Sequence, residues 1–472
     1  MYRLAMKNRS AAPSLPAGEW DGIPMPRRIW AILAVAFGVS LSVLDATIAN
    51  VALPSMAAAF GISPSDSVWI VNVYQLATVV SLLTFSTLGD IVGYRRVYLC
   101  GLTLFVVSSA ACALAPSFGW LVGARISQGF GAAALTGVNT SLIRTIYPRN
   151  RLGRGMGINA TVVAVSSVAG PSLAAAVLSV ASWPWLFAVN LPVGIAAIFF
   201  SARYLPRNPV RSSSRLDWRD SLMNALTFGL LIFSIEGYAH GVSPSVVALM
   251  AVAFVAAGTF FVRSQLRKPW PMLPFDLLRK PIFAVSVGTS VCSYTAQMLA
   301  MVTLPFMLQH DMGMSEVTTG LCLTAWPAII MVVAPVAGLL IERVHAGALG
   351  GAGLLIMSAG LVALGFLPAQ PAVHDIVWRL MLCGCGFGLF QSPNNSIIIA
   401  SAPRERSGSA SGMLASARLV GQSSGAALAA LLLHILPAGS THAALWVAAA
   451  FALAGSVTGF SRLSLRLPDG LR

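Results

Sequence analysis

Charge is what this chain has least of: only 10% of its 472 residues are Asp, Glu, Lys or Arg, and acids number 15. With 57% hydrophobic residues, a water-soluble globular protein of this size is excluded, because its surface would be too apolar to disperse. Cysteine is scarce, and Cys100, Cys112, Cys292, Cys322, Cys383 and Cys385 all fall in apolar runs, which excludes a disulfide framework. Cys383 and Cys385 are two apart, so on a helix they point in different directions and make no metal pair. The six histidines are scattered, and no phosphate-binding loop or nucleophile elbow occurs. Gly129-Phe130-Gly131 follows no strand and lies inside an apolar run, so it is no dinucleotide loop. These absences argue against an enzyme, ATP drive and any metal or organic cofactor. Residues 1–28 lack the apolar core of a signal peptide and read as a cytoplasmic tail.

What is present is a series of apolar runs. A membrane core of about 30 Å takes about 20 helical residues to cross, and fourteen runs reach that scale: 29–53, 68–88, 97–115, 119–142, 155–180, 186–202, 219–238, 244–262, 282–308, 318–341, 348–367, 375–400, 408–434 and 441–461. The fold class is therefore all-α and polytopic, with loops too short for a soluble domain. Of the 30 Lys and Arg, every one except Arg125, Arg379 and Arg418 falls before the first run, after the last, or in alternate loops on one side. By the positive-inside rule both termini are cytoplasmic. Basic loops facing anionic lipid account for the net charge of +15, and no basic patch with aromatic readers points to nucleic acid.

The chain also repeats itself. Asn139-Thr140-Ser141, Pro148-Arg149, Arg151, Gly153, Gly157 and Gly170 recur about 255 positions on as Asn394-Asn395-Ser396, Pro403-Arg404, Arg406, Gly408, Gly412 and Gly425. Two parallel six-span bundles, 29–202 and 282–461, are thus expected, joined by a linker (203–281) carrying an inserted pair of spans and followed by a tail (462–472). Repeated bundles with a site between them near the midplane are the architecture of alternating-access carriers.

Asp45 is the most informative residue. An ionised carboxylate costs several kcal/mol in hydrocarbon, so one retained in a span usually serves protons or substrate. It lies about 24 Å along span 1 at about 1.5 Å per residue, and Arg125, entering from the other side, reaches a similar depth in span 4. An ion pair is geometrically allowed. Either it separates during a cycle, so that Asp45 takes a proton outside and releases it inside, or it is a permanent buried bridge. Gly38, Ser42, Asp45 and Ala49 form a small polar stripe expected to face a central cavity, and Ser290, Tyr294, Gln297 and Met301 repeat that spacing in span 9. With Tyr74, Gln75, Met298 and Trp326 they form a candidate cluster for a flat lipophilic cation, through cation–π contact and adaptable packing. For any single member, filling a helix contact serves equally well. Glu236 is either a second carboxylate for a divalent cation or a headgroup residue. Arg418 either helps close the cytoplasmic side or snorkels to the interface.

Four stretches carry a family resemblance: Leu44-Asp45-Ala46-Thr47-Ile48-Ala49-Asn50-Val51-Ala52-Leu53-Pro54; Gly89-Asp90-Ile91-Val92-Gly93-Tyr94-Arg95-Arg96; Arg125-Ile126-Ser127-Gln128-Gly129-Phe130-Gly131-Ala132-Ala133; and Trp183-Pro184-Trp185-Leu186-Phe187-Ala188-Val189-Asn190-Leu191-Pro192-Val193-Gly194. The chain resembles the fourteen-span drug:proton antiporters of the major facilitator superfamily. Gly157, Ser166, Gly170, Pro171 and Ala174 keep the spacing of that family's antiporter motif, with Ser166 and Ala174 in place of glycines. Departures also include Ala49 for Val, Ser86 for Gly, Ile91 for Arg and Pro184 for Arg. Pro274 to Arg279, through Pro305, is most similar to methyl viologen and quaternary-ammonium exporters.

The resemblance implies a major facilitator fold in a bacterial inner membrane, working as a monomer. It implies exchange of cationic small molecules such as dyes and biocides for protons, with the proton gradient as sole energy source. It makes Asp45 and Arg125 the proton-coupling pair. Asp90, Gly93, Arg95 and Arg96 become a cytoplasmic latch in which Asp90 meets a helix N-terminus or a basic residue of the other half; a topology signal is the plainer alternative. Gly157, Gly170 and Pro171 become a tight seal against proton leak, although the same small residues at Gly421, Gly425 and Ala429 fit a purely structural role. The nearest alternative function is export of a metabolite such as an amino acid or siderophore.

The charge asymmetry makes a direct prediction. A fluorescent protein fused after Arg472 will fluoresce and alkaline phosphatase fused there will be inactive, whereas an active phosphatase would contradict cytoplasmic termini.

Overall fold

The computed structural model describes residues 22–148, 152–206, 218–239, 242–266, 275–341, 343–368, 370–401, 407–436 and 439–465. Among these there is no strand. The first set of helices is α1 (Arg27–Val51), α2 (Leu53–Phe60), α3 (Pro64–Ser67), α4 (Trp69–Val92), α5 (Tyr94–Ala113), α6 (Phe118–Ile146), α7 (Leu152–Leu178), α8 (Pro184–Ala188) and α9 (Asn190–Tyr204). A pair follows, α10 (Trp218–Ala239) and α11 (Pro244–Leu266). The last set is α12 (Pro281–Phe306), α13 (Glu316–Leu340), α14 (Ala346–Gly365), α15 (Val373–Ala400), α16 (Ser407–Ile435) and α17 (Ser440–Ser461).

Eleven helices among the described residues are long and apolar enough to cross a membrane, so the chain is a multi-pass membrane protein. The helices α6, α10 and α16 have the length, at 29, 22 and 29 residues. Each carries polar side chains in its interior face: Arg125 and Gln128, Asp220 and Asn224, and Arg418 and Gln422. Helix suits these segments because it satisfies every backbone polar group within the segment, as hydrocarbon requires.

The local sequence sets the breaks. Gly93 takes φ +115° between α4 and α5, a conformation that favours glycine and permits the tight reversal there. Proline at the first turn starts α2, α3, α8 and α12, where its missing N–H is no loss. The run expected over 186–202 is two helices with Val189 at the junction. That break starts α9 at Asn190 and aims its side chain at Asp45.

Small residues set the packing within each half. Helix α7 lies on α1 with Gly170 against Thr47, and α16 lies on α12 with Gly425 against the Thr295 carbonyl and Leu299. These are repeat-related positions making the same kind of contact. Between the halves, α7 packs on α13: Pro171 O lies 2.8 Å from where a Cβ on Gly320 would sit, and Ser172 Oγ and Thr324 Oγ1 are 2.8 Å apart. Helix α10 lies across the other seam, against α4 and α16, where Asn224 Nδ2 donates to Val80 O at 3.0 Å. Its partner α11 turns most of its surface outward, as a helix against lipid does.

Packing at Gly425 is testable. A Cβ there would lie 2.5 Å from the Thr295 carbonyl oxygen, while at Gly412 the nearest atom is Leu83 Cδ2 at 3.9 Å. Overpacking of this kind costs about 1–3 kcal/mol. Gly425→Ala will lower the thermal unfolding midpoint of the purified protein, and Gly412→Ala will leave it unchanged or raise it; equal midpoints would contradict this packing.

Candidate functional site

The site grows from one buried charge pair. Asp45 on α1 is 2% exposed and Arg125 on α6 is fully buried. Arg125 Nη1 donates to Asp45 Oδ2 and, at 2.6 Å, to Gln128 Oε1, while its Nε donates to the Ile70 carbonyl of α4 at 2.9 Å. Its guanidinium lies 4.3 Å from the Tyr74 ring centroid and 5.6 Å from that of Phe187. The other carboxylate oxygen, Oδ1, accepts from Gln128 Nε2 at 2.8 Å and Asn190 Nδ2 at 3.0 Å. Ser109 Oγ accepts from both amides, at 2.8 and 3.4 Å. Each charge is thus held by its opposite and by oriented dipoles, the condition under which ions persist in a low-dielectric interior. The assembly ties α1, α4, α5, α6, α8 and α9 together.

Gln128, Asn190 and Ser109 were not assigned by sequence. The first two lie inside stretches that carry the family resemblance, Gln128 one helical turn after Arg125, so a polar side chain at that spacing was the available signal. Ser109 had none.

Beside the pair is a cavity of about 870 Å³. Its walls are α1 (Val39, Ser42, Val43, Ala46, Thr47), α4 (Tyr74, Gln75, Thr78 and on to Asp90), α6, α7, the start of α10, and α16 (Gly412, Ala415, Arg418, Leu419, Gln422). It reaches the end of the bundle where Asp90, Arg144 and Asp220 sit near helix termini. The opposite end is shut. There Ser55 Oγ donates to Glu316, Gln309 Nε2 donates to Val51 O at 2.9 Å, and one apolar cluster spans both halves, from Ile48 and Val71 to Leu323 and Trp326.

Three expectations change. Asp45 does not line the cavity; Tyr74, whose hydroxyl donates to Ser42 O at 3.3 Å, lines it while its ring covers Arg125. Of the stripe Gly38, Ser42, Asp45 and Ala49, only Ser42 faces the cavity, because Asp45 turns toward partners in its own half and Gly38 packs on Tyr98. In the second half, Tyr294, Met298 and Trp326 are buried in the closed end, and Gln297 and Met301 are half-buried without lining the cavity. Tyr294 packs edge-on against Phe387 at 5.4 Å and accepts from Gln391 Nε2 at 3.1 Å, and Ser290 accepts from Asn394 Nδ2 at 2.7 Å. Gln75 Nε2 approaches Met298 Sδ at 3.9 Å across the halves. Of the expected cluster, then, Tyr74 and Gln75 line the cavity. The Glu236 side chain and the surroundings of Gly157 lie outside what is described.

Near the basic loops, Asp90 lines the cavity and accepts from Tyr94 Oη at 2.5 Å. Arg95 donates to the Ala202 carbonyl of α9 in its own half, and Arg96 is exposed. Arg379 pairs with Asp375 at 3.0 Å one turn away.

Comparison with known proteins agrees with this architecture. The family model described as Major Facilitator Superfamily matches residues 35–426 and again 287–469. Uncharacterized transporter YebQ of Escherichia coli (strain K12) is 58% identical over 94% of this chain and 98% of its own length. Multidrug resistance protein Stp of Mycobacterium tuberculosis (strain CDC 1551 / Oshkosh) is 30% identical over 84% of this chain and 74% of its own. A crystal structure of a POT family transporter in complex with a thioalcohol-conjugated peptide superposes with a TM-score of 0.72 at 15% identity, covering 92% of this chain and 95% of that one. From helix order, cavity and family match together, the chain belongs to the Major Facilitator Superfamily of membrane transporters.

Proposed function

We propose that this transporter is a fourteen-span, proton-driven exporter of amphipathic small molecules, working by alternating access as a monomer in a bacterial inner membrane with both termini cytoplasmic. The observation that carries this reading is the Asp45–Arg125 pair, buried beside a cavity whose inner wall is Tyr74. Tyr74 touches both compartments. A cargo packed on its ring seals the cover over Arg125 and favours the ionised pair, whereas a proton arriving at Asp45 neutralises the carboxylate and weakens its hold on Arg125. Because a protonated carboxyl no longer needs a cation, the two events favour opposite states of the bundle.

Resistance proteins among the relatives support multidrug efflux. The resemblance around Pro274 to Pro305 favours lipophilic cations such as methyl viologen or quaternary ammonium compounds. Export of a metabolite is the second reading, favoured by the enclosure of Asp45 away from the cavity and by Arg418 on its wall. In either case Asp90, with Arg95 and Arg96 nearby, acts as the latch that closes the cytoplasmic end when the cavity turns outward.

Everted membrane vesicles with an imposed proton gradient provide the test, with ethidium, methyl viologen and fluorescein as probes. Wild type will accumulate at least one probe in a gradient-dependent manner. Asp45→Asn will reduce that uptake at least tenfold at equal expression, while probe exchange without a gradient persists. Undiminished gradient-driven uptake by Asp45→Asn would sink the coupling role. Asn190→Leu, which removes one donor to Asp45 and adds a methyl-bearing side chain, will impair coupling less than Asp45→Asn; an equal loss would mean that Asn190 is as necessary as the carboxylate.

A further inference from the structure

The charge facing the cargo differs from the charge that drew attention in the sequence. Arg418 lies on α16 about 16 Å from its Ser407 end at about 1.5 Å per residue, near the middle of a core of about 30 Å. It lines the cavity on the face it shares with Ala415, Leu419 and Gln422. Its side chain makes no hydrogen bond or ion pair among the described residues, and its Nε is buried without a partner. Asp45 cannot serve it, being enclosed behind Tyr74 and saturated by Arg125, Gln128 and Asn190.

Two acids do line the same cavity, but both are at its mouth. Asp90 is two residues from the end of α4 and already accepts from Tyr94 Oη at 2.5 Å, and Asp220 is in the first turn of α10. Arg144, in the last turn of α6, shares that level and offsets them. Thus, among the described residues, the mouth is of mixed sign and the deep part carries a single, positive, uncompensated group.

A guanidinium half-withdrawn from water, with an unpartnered donor, is costly until an acceptor arrives, and its planar fork suits a carboxylate in two-point contact. Lining the same cavity are Tyr74, Gln75 and Thr78 of α4, with Ser42 on α1, a wall that offers a ring and hydroxyl or amide groups. Resting on the proposed export through this cavity, we propose that Arg418 anchors the cargo, and that the cargo is an amphipathic organic anion or zwitterion whose carboxylate meets Arg418 while an apolar ring packs toward Tyr74. Gln422, one turn deeper on the same face, supplies an amide to the same end of the molecule.

Equilibrium binding to the purified full-length protein tests this without any proton gradient, so its failure is separable from failure of the coupling mechanism. Two dyes with related ring systems and opposite charge, fluorescein and rhodamine 123, are compared by fluorescence anisotropy. Wild type will bind fluorescein at least tenfold more tightly than rhodamine 123. Arg418→Gln will weaken fluorescein at least tenfold and leave rhodamine 123 unchanged or tighter, and Arg418→Lys will retain most of the preference, which also guards against loss of folding. Preference for rhodamine 123, equal binding, no binding of either dye, or an Arg418→Gln protein that binds fluorescein like wild type would each overturn the proposal.

Discussion

The arrangement of the first half depends on one ion pair kept out of water. Left alone, either Asp45 or Arg125 would cost several kcal/mol to hold in a nonpolar interior. Together, with Gln128, Asn190, Ser109 and the Ile70 carbonyl supplying hydrogen bonds while Arg125 Nη2 goes without one, they become an anchor on which helices α1, α4, α5, α6 and α9 converge. The same low dielectric that makes the pair strong makes it responsive, since loss of one charge leaves the other with neutral dipoles alone. A pair of this kind suits a two-state device better than a static brace, because its strength depends on a single proton.

The cavity is built on a different principle. One end of the bundle is shut by apolar packing and a few cross-half hydrogen bonds, Ser55 to Glu316, Gln309 to Val51, and Ser172 with Thr324. None of these is a buried ion pair, so they exchange readily for water when that end opens. Close helix contact at Gly170, Gly421 and Gly425 within the halves and at Gly320 between them lets the helices meet closely. The pair α10 and α11 adds a flank: by lying across α4 and α16, α10 covers the seam beside the cavity and contributes Asp220 and Ser221 to its wall. That placement closes the side of the cavity between α4 and α16.

The helices were legible because hydrophobic run length and loop charge respond directly to the bilayer, and the observed ends differ from those expected by only a few residues. Asp45 and Arg125 were legible for the same reason: a lone charge in an apolar run announces itself. The direction in which Asp45 points was not. Helical spacing places Gly38, Ser42 and Asp45 on one broad face, but which part of that face meets the cavity depends on where partners from α6 and α9 lie, and those come from residues 80 and 145 positions away. The second-half cluster lies away from the cavity for a related reason. Tyr294, Met298 and Trp326 are apt for a cargo, yet with the bundle shut at their level they fill the joint between the halves. Arg418 was visible as a charge without a partner; only the fold shows that it lies on the cavity wall.

The central claim is that Asp45 exchanges a proton against cargo. Its most direct measurement is proton release from purified protein in weakly buffered detergent solution on addition of a bound dye, comparing wild type with Asp45→Asn. The account predicts release by wild type and none by the variant at equal dye occupancy. Equal release by both proteins would show that the proton comes from another group and that the Asp45–Arg125 pair is a structural bridge.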